Sequence, residues 1–217
     1  MKSIPTWAKV WIGSALVVVL FIAFKKMPKK KPKKILFVGD SLTAIEYNGR
    51  STNNYPNLIR RKRPDLTIDV LAKGGMTTKW MLTNLPNKLF NQYDRVYIYG
   101  GVNDAFNNVP YESVQSNLQK MIDMVRDSGA EAYVVMGYEP SGFMDWKKMP
   151  TTRYVTKKED YIPLVARYVE LQKRFLALRN ATLVDKFQLS SSMTGDGTHP
   201  NGKGQELIAE KILKTIE

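Results

Sequence analysis

Ile35-Leu36-Phe37-Val38-Gly39-Asp40-Ser41-Leu42 is the stretch that decides the fold. Four apolar residues in a row are too few for a buried helix. They fit a strand covered on both faces, as in a parallel sheet. Gly39 ends the run, and Asp40 and Ser41 are residue types that start turns and cap helices. The same grammar recurs outward from this point. Leu66 to Ala72, Arg95 to Tyr99, Ala132 to Met136 and Thr182 to Val184 read as further short strands. Between them, helices are predicted at Asn54–Arg63, Pro110–Ser128, Tyr161–Asn180 and Gly204–Ile216, with a broken helical stretch from Thr78 to Phe90 interrupted by Pro86. Strands alternating with helices of this length predict an α/β fold with three layers, α/β/α, around a five-stranded parallel sheet.

Four short motifs close these elements. They are Gly39-Asp40-Ser41-Leu42, Gly74-Gly75-Met76-Thr77, Gly101-Val102-Asn103-Asp104 and Asp196-Gly197-Thr198-His199-Pro200. The first three follow strands one, two and three, so they meet on the carboxyl rim of the sheet, where open parallel sheets bind ligands. Each alone has a plain structural reading: a helix cap, a turn, a second cap, a turn before Pro200. Together they supply a serine, candidate oxyanion donors and an Asp-x-x-His pair, the parts needed for acyl transfer by a serine nucleophile. His199 is the only histidine in the chain. There is no cysteine, which excludes disulfides, thiolate nucleophiles and cysteine-ligated zinc. A single histidine argues against a histidine-based metal site. No metal and no cofactor is expected.

With those four blocks in this order, residues 35–217 resemble the SGNH, or GDSL, hydrolase family, named for Ser, Gly, Asn and His in separate blocks. The blocks match as GDSL at 39–42, the G-x-T of Gly75-Met76-Thr77, the G-x-N-D of 101–104 and the D-x-x-H-P of 196–200. The resemblance implies a flavodoxin-like sheet and a serine esterase. It implies Ser41 as nucleophile, His199 as base and Asp196 as the residue orienting the imidazole. It also implies an oxyanion hole made by Ser41 N–H, Gly75 N–H and the Asn103 side-chain amide. The G-x-T match picks Gly75 over Gly74 as the donor. A non-catalytic module that keeps the fold, and a phosphate or nucleotide binder, are competing classes. The latter lacks a P-loop or G-x-G-x-x-G pattern.

The net charge of +13 suggests nucleic acid only until it is located. Residues 1–34 carry nine lysines and no acid, leaving 24 basic against 20 acidic residues in 35–217. The cluster Arg60-Arg61-Lys62-Arg63 has no interleaved aromatics, so no nucleic-acid partner is expected. Val10 to Phe24 is an uncharged apolar run. Extended back to Ile4 it spans about 31 Å at ~1.5 Å per residue, enough for a bilayer core. Lys25-Lys26 follow it where a signal-peptide cleavage site would need small residues. Residues 1–24 are therefore expected to form one transmembrane anchor helix, and 25–34 a Lys/Pro-rich spacer. Residues 4–34 would meet membrane lipids. Seven lysines after the apolar run, against two before it, place the hydrolase domain on the cytoplasmic face.

Residues 138–158 form the longest stretch without periodicity and follow the fourth strand. Loops of this length in compact domains are often binding loops. Asp40, Tyr138, Phe143 and Trp146 are expected to touch substrate, with Tyr154 nearby. Lys147, Lys148 and Arg153 are candidates to meet an anionic group. No long apolar groove is visible around the motifs, so short acyl groups are expected, acetyl above all, as on an acetylated carbohydrate or peptidoglycan, with a lipid-like ester as the other candidate substrate. Lipase, lysophospholipase and thioesterase activities are the alternatives within the same fold.

Overall fold

The computed structural model describes residues 31–44, 53–145, 147–148 and 158–217. The expected anchor helix, most of the spacer, Trp146, Arg153 and Tyr154 lie outside the described residues. Among the described residues no helix is long and apolar enough to cross a membrane.

Five strands form the sheet: β1 (Lys34–Gly39), β2 (Thr67–Ala72), β3 (Arg95–Tyr99), β4 (Glu131–Val135) and β5 (Thr182–Val184). All neighbours are parallel, in the order β2-β1-β3-β4-β5. This flavodoxin-like order puts the topological switch point between β1 and β3. The register brings their ends level: Gly39 lies between Ala72 on β2 and Tyr99 on β3.

The helices are α1 (Tyr55–Lys62), α2 (Thr78–Asn84), α3 (Pro86–Leu89), α4 (Val102–Phe106), α5 (Tyr111–Asp127), α6 (Pro140–Phe143), α7 (Lys158–Arg174) and α8 (Gly202–Ile216). Strand alternation sends side chains to two cores. Ile35, Phe37, Tyr97 and Tyr99 pack with Tyr55 and Ile59 of α1 and with Ile208, Ala209, Ile212 and Ile216 of α8. Leu36, Val38, Val96 and Ile98 pack with Met81 of α2 and with Val114, Leu118, Met121, Ile122 and Val125 of α5. Burying one such Leu, Ile or Val stabilises the fold by roughly 1.5–3 kcal/mol.

The helix ends follow local chemistry. Asn54 Oδ1 accepts the Asn57 N–H to start α1, and Asn201 Oδ1 accepts the Gly204 N–H to start α8. Gly129, at φ +86°, turns the chain out of α5. The predicted Tyr161–Asn180 helix differs most: α7 starts three residues earlier, at Lys158, and gives way to a 3-10 turn at Phe175–Ala177. The short helices α4 and α6 carry too few residues for a sequence period to reveal them.

Candidate active site

The site sits past the carboxyl ends of β1 and β3. Gly39 is required there by space. A Cβ at this position would run into the Thr43 side chain and lie 2.8 Å from the Tyr99 carbonyl oxygen. The chain then turns through residues 40–44, because Thr43 and Ala44 N–H both donate to the Asp40 carbonyl. Ser41 stands half-buried on that turn.

Opposite it, the loop before α8 presents His199. Ser41 Oγ and His199 Nε2 are 2.9 Å apart, and His199 Nδ1 lies 2.9 Å from Asp196 Oδ2. An ionised carboxylate only accepts, so Nδ1 carries the proton and Nε2 is left to accept from the Ser41 hydroxyl. Asp196 Oδ1 accepts the backbone N–H groups of Thr198 and His199, and the Thr194 hydroxyl. Burial alone would push Asp196 up. The bonds from the His199 ring and the two backbone N–H groups outweigh it and hold the carboxyl well below the ordinary carboxylate range.

The other two blocks close on the same rim. Gly75 has φ +76° and is exposed, a left-handed position that favours glycine; Gly74 has no such conformation. Gly101, at φ +110°, starts α4 and sets Asn103 in its first turn. The Asn103 amide Nδ2 donates to the Met76 carbonyl at 3.1 Å and to Asp40 Oδ2 at 3.2 Å. Asp104, fully buried, takes the Thr78 N–H at 3.0 Å and the Thr78 hydroxyl at 2.7 Å. It thereby caps α2 from outside and ties the Gly75–Thr77 turn to α4. Sequence reading missed this tie, although an acid following Asn103 in a glycine-led turn was its one visible signal.

Three expectations change. Asp40 has no exposed surface, so it does not reach substrate. Its carboxylate turns inward to Leu42 N–H and Asn103 instead. Tyr138 is also fully buried, its ring packed on Tyr168 at 5.6 Å. Lys148 does not wait for an anion: its ammonium donates to the Ser191 and Thr194 carbonyls, holding the loop that leads to Asp196. Asp145 N–H adds a bond to the Gly197 carbonyl, so the start of the long loop is stitched to the His199 loop. Phe143 lies in α6, with its side chain outside the described residues. Among the described residues no group of three or more His, Cys, Asp or Glu is placed to hold a metal ion.

Residues 37–207 match the family model described as the GDSL-like lipase/acylhydrolase family. The chain belongs to that family and is an ester-hydrolysing serine hydrolase. It is 28% identical over 207 residues to an arylesterase of Vibrio mimicus, covering 93% of this chain and 96% of that protein. It is 25% identical to the isoamyl acetate-hydrolyzing esterase of Saccharomyces cerevisiae, covering 85% and 86%. Among solved structures, the psychrotrophic esterase EstA from Pseudoalteromonas sp. aligns with TM-score 0.62 at 22% identity, covering 85% of this chain and 96% of that one. A catalytic mutant of an acetylxylan esterase from Geobacillus stearothermophilus aligns with TM-score 0.64 at 16% identity, covering 88% and 96%. At these identities the two structures speak for the fold.

Proposed function

We propose that this chain hydrolyses short-acyl carboxylic esters through a Ser41–His199–Asp196 triad. The observation that carries this reading is the continuous relay of two 2.9 Å bonds from Ser41 through His199 to Asp196. A serine hydroxyl is a weak nucleophile until a base removes its proton. As Ser41 Oγ bonds to the ester carbonyl carbon, its proton passes to His199 Nε2. Asp196, held ionised, stabilises the imidazolium. The carbonyl oxygen becomes an oxyanion, bonded by Ser41 N–H, Gly75 N–H and one of the two Asn103 Nδ2 hydrogens, the one held at rest by the Met76 carbonyl, while Asp40 keeps the other. Collapse breaks the ester C–O bond, and His199 gives its proton to the departing alcohol. Water then enters, loses a proton to His199 and releases the acid from Ser41 as the proton returns to Oγ.

Acetate is the favoured acyl group, borne on a small alcohol or a carbohydrate. Asp145 N–H bonds the Gly197 carbonyl, which holds the start of the long loop close to His199, and one relative is named for an acetate ester. Residues 4–24 anchor the enzyme in a membrane as a single pass, with the lysines of 25–34 holding the domain to the cytoplasmic face. Comparing kcat/KM on acetyl and decanoyl esters of one phenol tests the acyl assignment. A preference for acetyl of tenfold or more is expected, and a preference for decanoyl overturns it in favour of a lipase.

A further inference from the structure

The catalytic reading needs the nitrogen end of the Asn103 side chain to face the reacting carbonyl. An asparagine amide chooses between its two ends weakly, because its last torsion is broad and nearly two-fold. Presented the other way, Asn103 would offer a carbonyl lone pair to an oxyanion and oppose the reaction. Two acceptors settle the choice here: the Met76 carbonyl at 3.1 Å and Asp40 Oδ2 at 3.2 Å, both meeting Nδ2. The Met76 carbonyl belongs to the turn that bears Gly75. Asp40 belongs to the turn that bears Ser41.

Asp40 is otherwise costly to keep. It has no exposed surface, and burial works against its charge. The Ser41 turn does not depend on that carboxylate, since the Asp40 main-chain carbonyl already takes Thr43 and Ala44 N–H at 3.1 and 2.9 Å. One carboxylate oxygen adds a bond from Leu42 N–H at 2.9 Å. The second oxygen has Asn103 as its donor. A residue that accepted only one bond could serve Leu42 or Asn103, not both.

We propose that Asp40 is the positioning residue of the oxyanion site, fixing which end of the Asn103 amide faces the substrate. It touches no substrate itself and acts through Asn103. This rests on the serine-hydrolase mechanism proposed above.

The test is a double-mutant cycle in the full chain with Asp40→Asn and Asn103→Ala. Asparagine keeps the size but can donate as well as accept, so it allows Asn103 to flip. Asp40→Asn alone is expected to lower kcat roughly 10–100-fold with KM little changed, less than the ~100–1,000-fold for losing an oxyanion donor outright. In the Asn103→Ala background the same change should cost less than about twofold. Equal losses in both backgrounds, or no loss in either, overturn the proposal. Should Asp40→Asn fail to fold, the unaltered protein decides. The Asn103 side-chain amide protons, identified by NMR as the pair missing from Asn103→Ala, should exchange with water at least tenfold more slowly than those of exposed Asn87. Exchange as fast as at Asn87 overturns it. Ser41→Ala separates the two readings: if that variant still hydrolyses ester, the mechanism falls, whatever the cycle shows.

Discussion

The turn at 39–44 and the loop at 194–200 meet at one bond, Ser41 to His199, yet they hold their carboxylates in opposite electrostatic states. Asp196 keeps 23% of its side chain exposed and accepts bonds from the His199 ring, two backbone N–H groups and a hydroxyl. It is held well below the ordinary range. Asp40 is wholly buried and accepts from Leu42 and Asn103. Burial pushes it up to about 7, against the pull of Leu42 N–H and His199 and with a further push from Asp104. The two aspartates of this site therefore differ because one has enough donors to replace water and the other does not. Asp196 is built to stay charged beside an imidazole. Asp40 is built into the protein interior, where its charge is a strain on the fold.

The largest effects should break the Asp196 side of this comparison. Ser41→Ala and His199→Ala are each expected to lower kcat on the order of 10⁴-fold or more, because members of such a relay act as a unit. Asp196→Asn keeps the shape but offers an amide where Nδ1–H needs an anion. It should cost roughly 10²–10⁴-fold in kcat, with KM changed far less. Steady-state kinetics on a soluble acetyl ester checks all three. More than a tenth of the original kcat in Ser41→Ala would remove the serine from the mechanism.

The rim was legible in the sequence because its signals are local. A four-residue apolar run ending in glycine fits a short buried strand, and Gly75 and Gly101 take left-handed backbone just past strand ends. What failed was long-range. Tyr138 follows β4 and reads in sequence as the first residue of a loop. In the folded chain Gly137, at φ +83°, bends the backbone so that Tyr138 bridges to Phe187 as a continuation of the sheet. The Gln172 amide of α7 then donates to the Met136 and Tyr138 carbonyls. A buried glutamine on an otherwise apolar helix stripe has no meaning until its partners are in place. Asp40 departs from its sequence expectation for the same reason. An acid beside a nucleophile suggests substrate contact, and only the position of Asn103, 63 residues away, shows where its second oxygen goes.

The Asp40 side predicts an effect on stability of opposite sign to its effect on rate. A carboxyl whose folded value is raised from 3.8 to about 7 binds its proton more tightly when folded. Its contribution favours the fold below the unfolded value and is progressively lost as pH rises from about 4 to about 7. Asp40→Asn removes that loss while giving up one buried hydrogen bond, about 1–3 kcal/mol. The variant should therefore gain in melting temperature relative to the unaltered chain on moving from pH 5 to pH 8, by a few degrees. Thermal melts at the two pH values measure this. A gap that stays constant, or moves the other way, means that Asp40 is not charged against its surroundings.

The smallest effect should come from removing residues 1–30. β1 enters the sheet at Lys34, on the amino edge, and Ser41 lies past the carboxyl edge, about 20 Å away at ~3.3 Å per strand residue. The start of the domain is secured by its own partners. Lys33 and Lys34 N–H donate to Asp94 at 2.8 and 2.9 Å, and Thr67 N–H donates to the Lys33 carbonyl at 2.7 Å. None of these bonds needs a residue before Lys31. The shortened chain should keep kcat/KM on a soluble acetyl ester within about twofold and melt within a few degrees of the full one. It should also leave the membrane pellet, which the full chain should resist leaving in alkaline carbonate. A shortened chain that folds but no longer hydrolyses the soluble ester would give residues 1–30 a part in the site itself. A full chain released by carbonate would instead remove the anchor and leave the chemistry on the rim untouched.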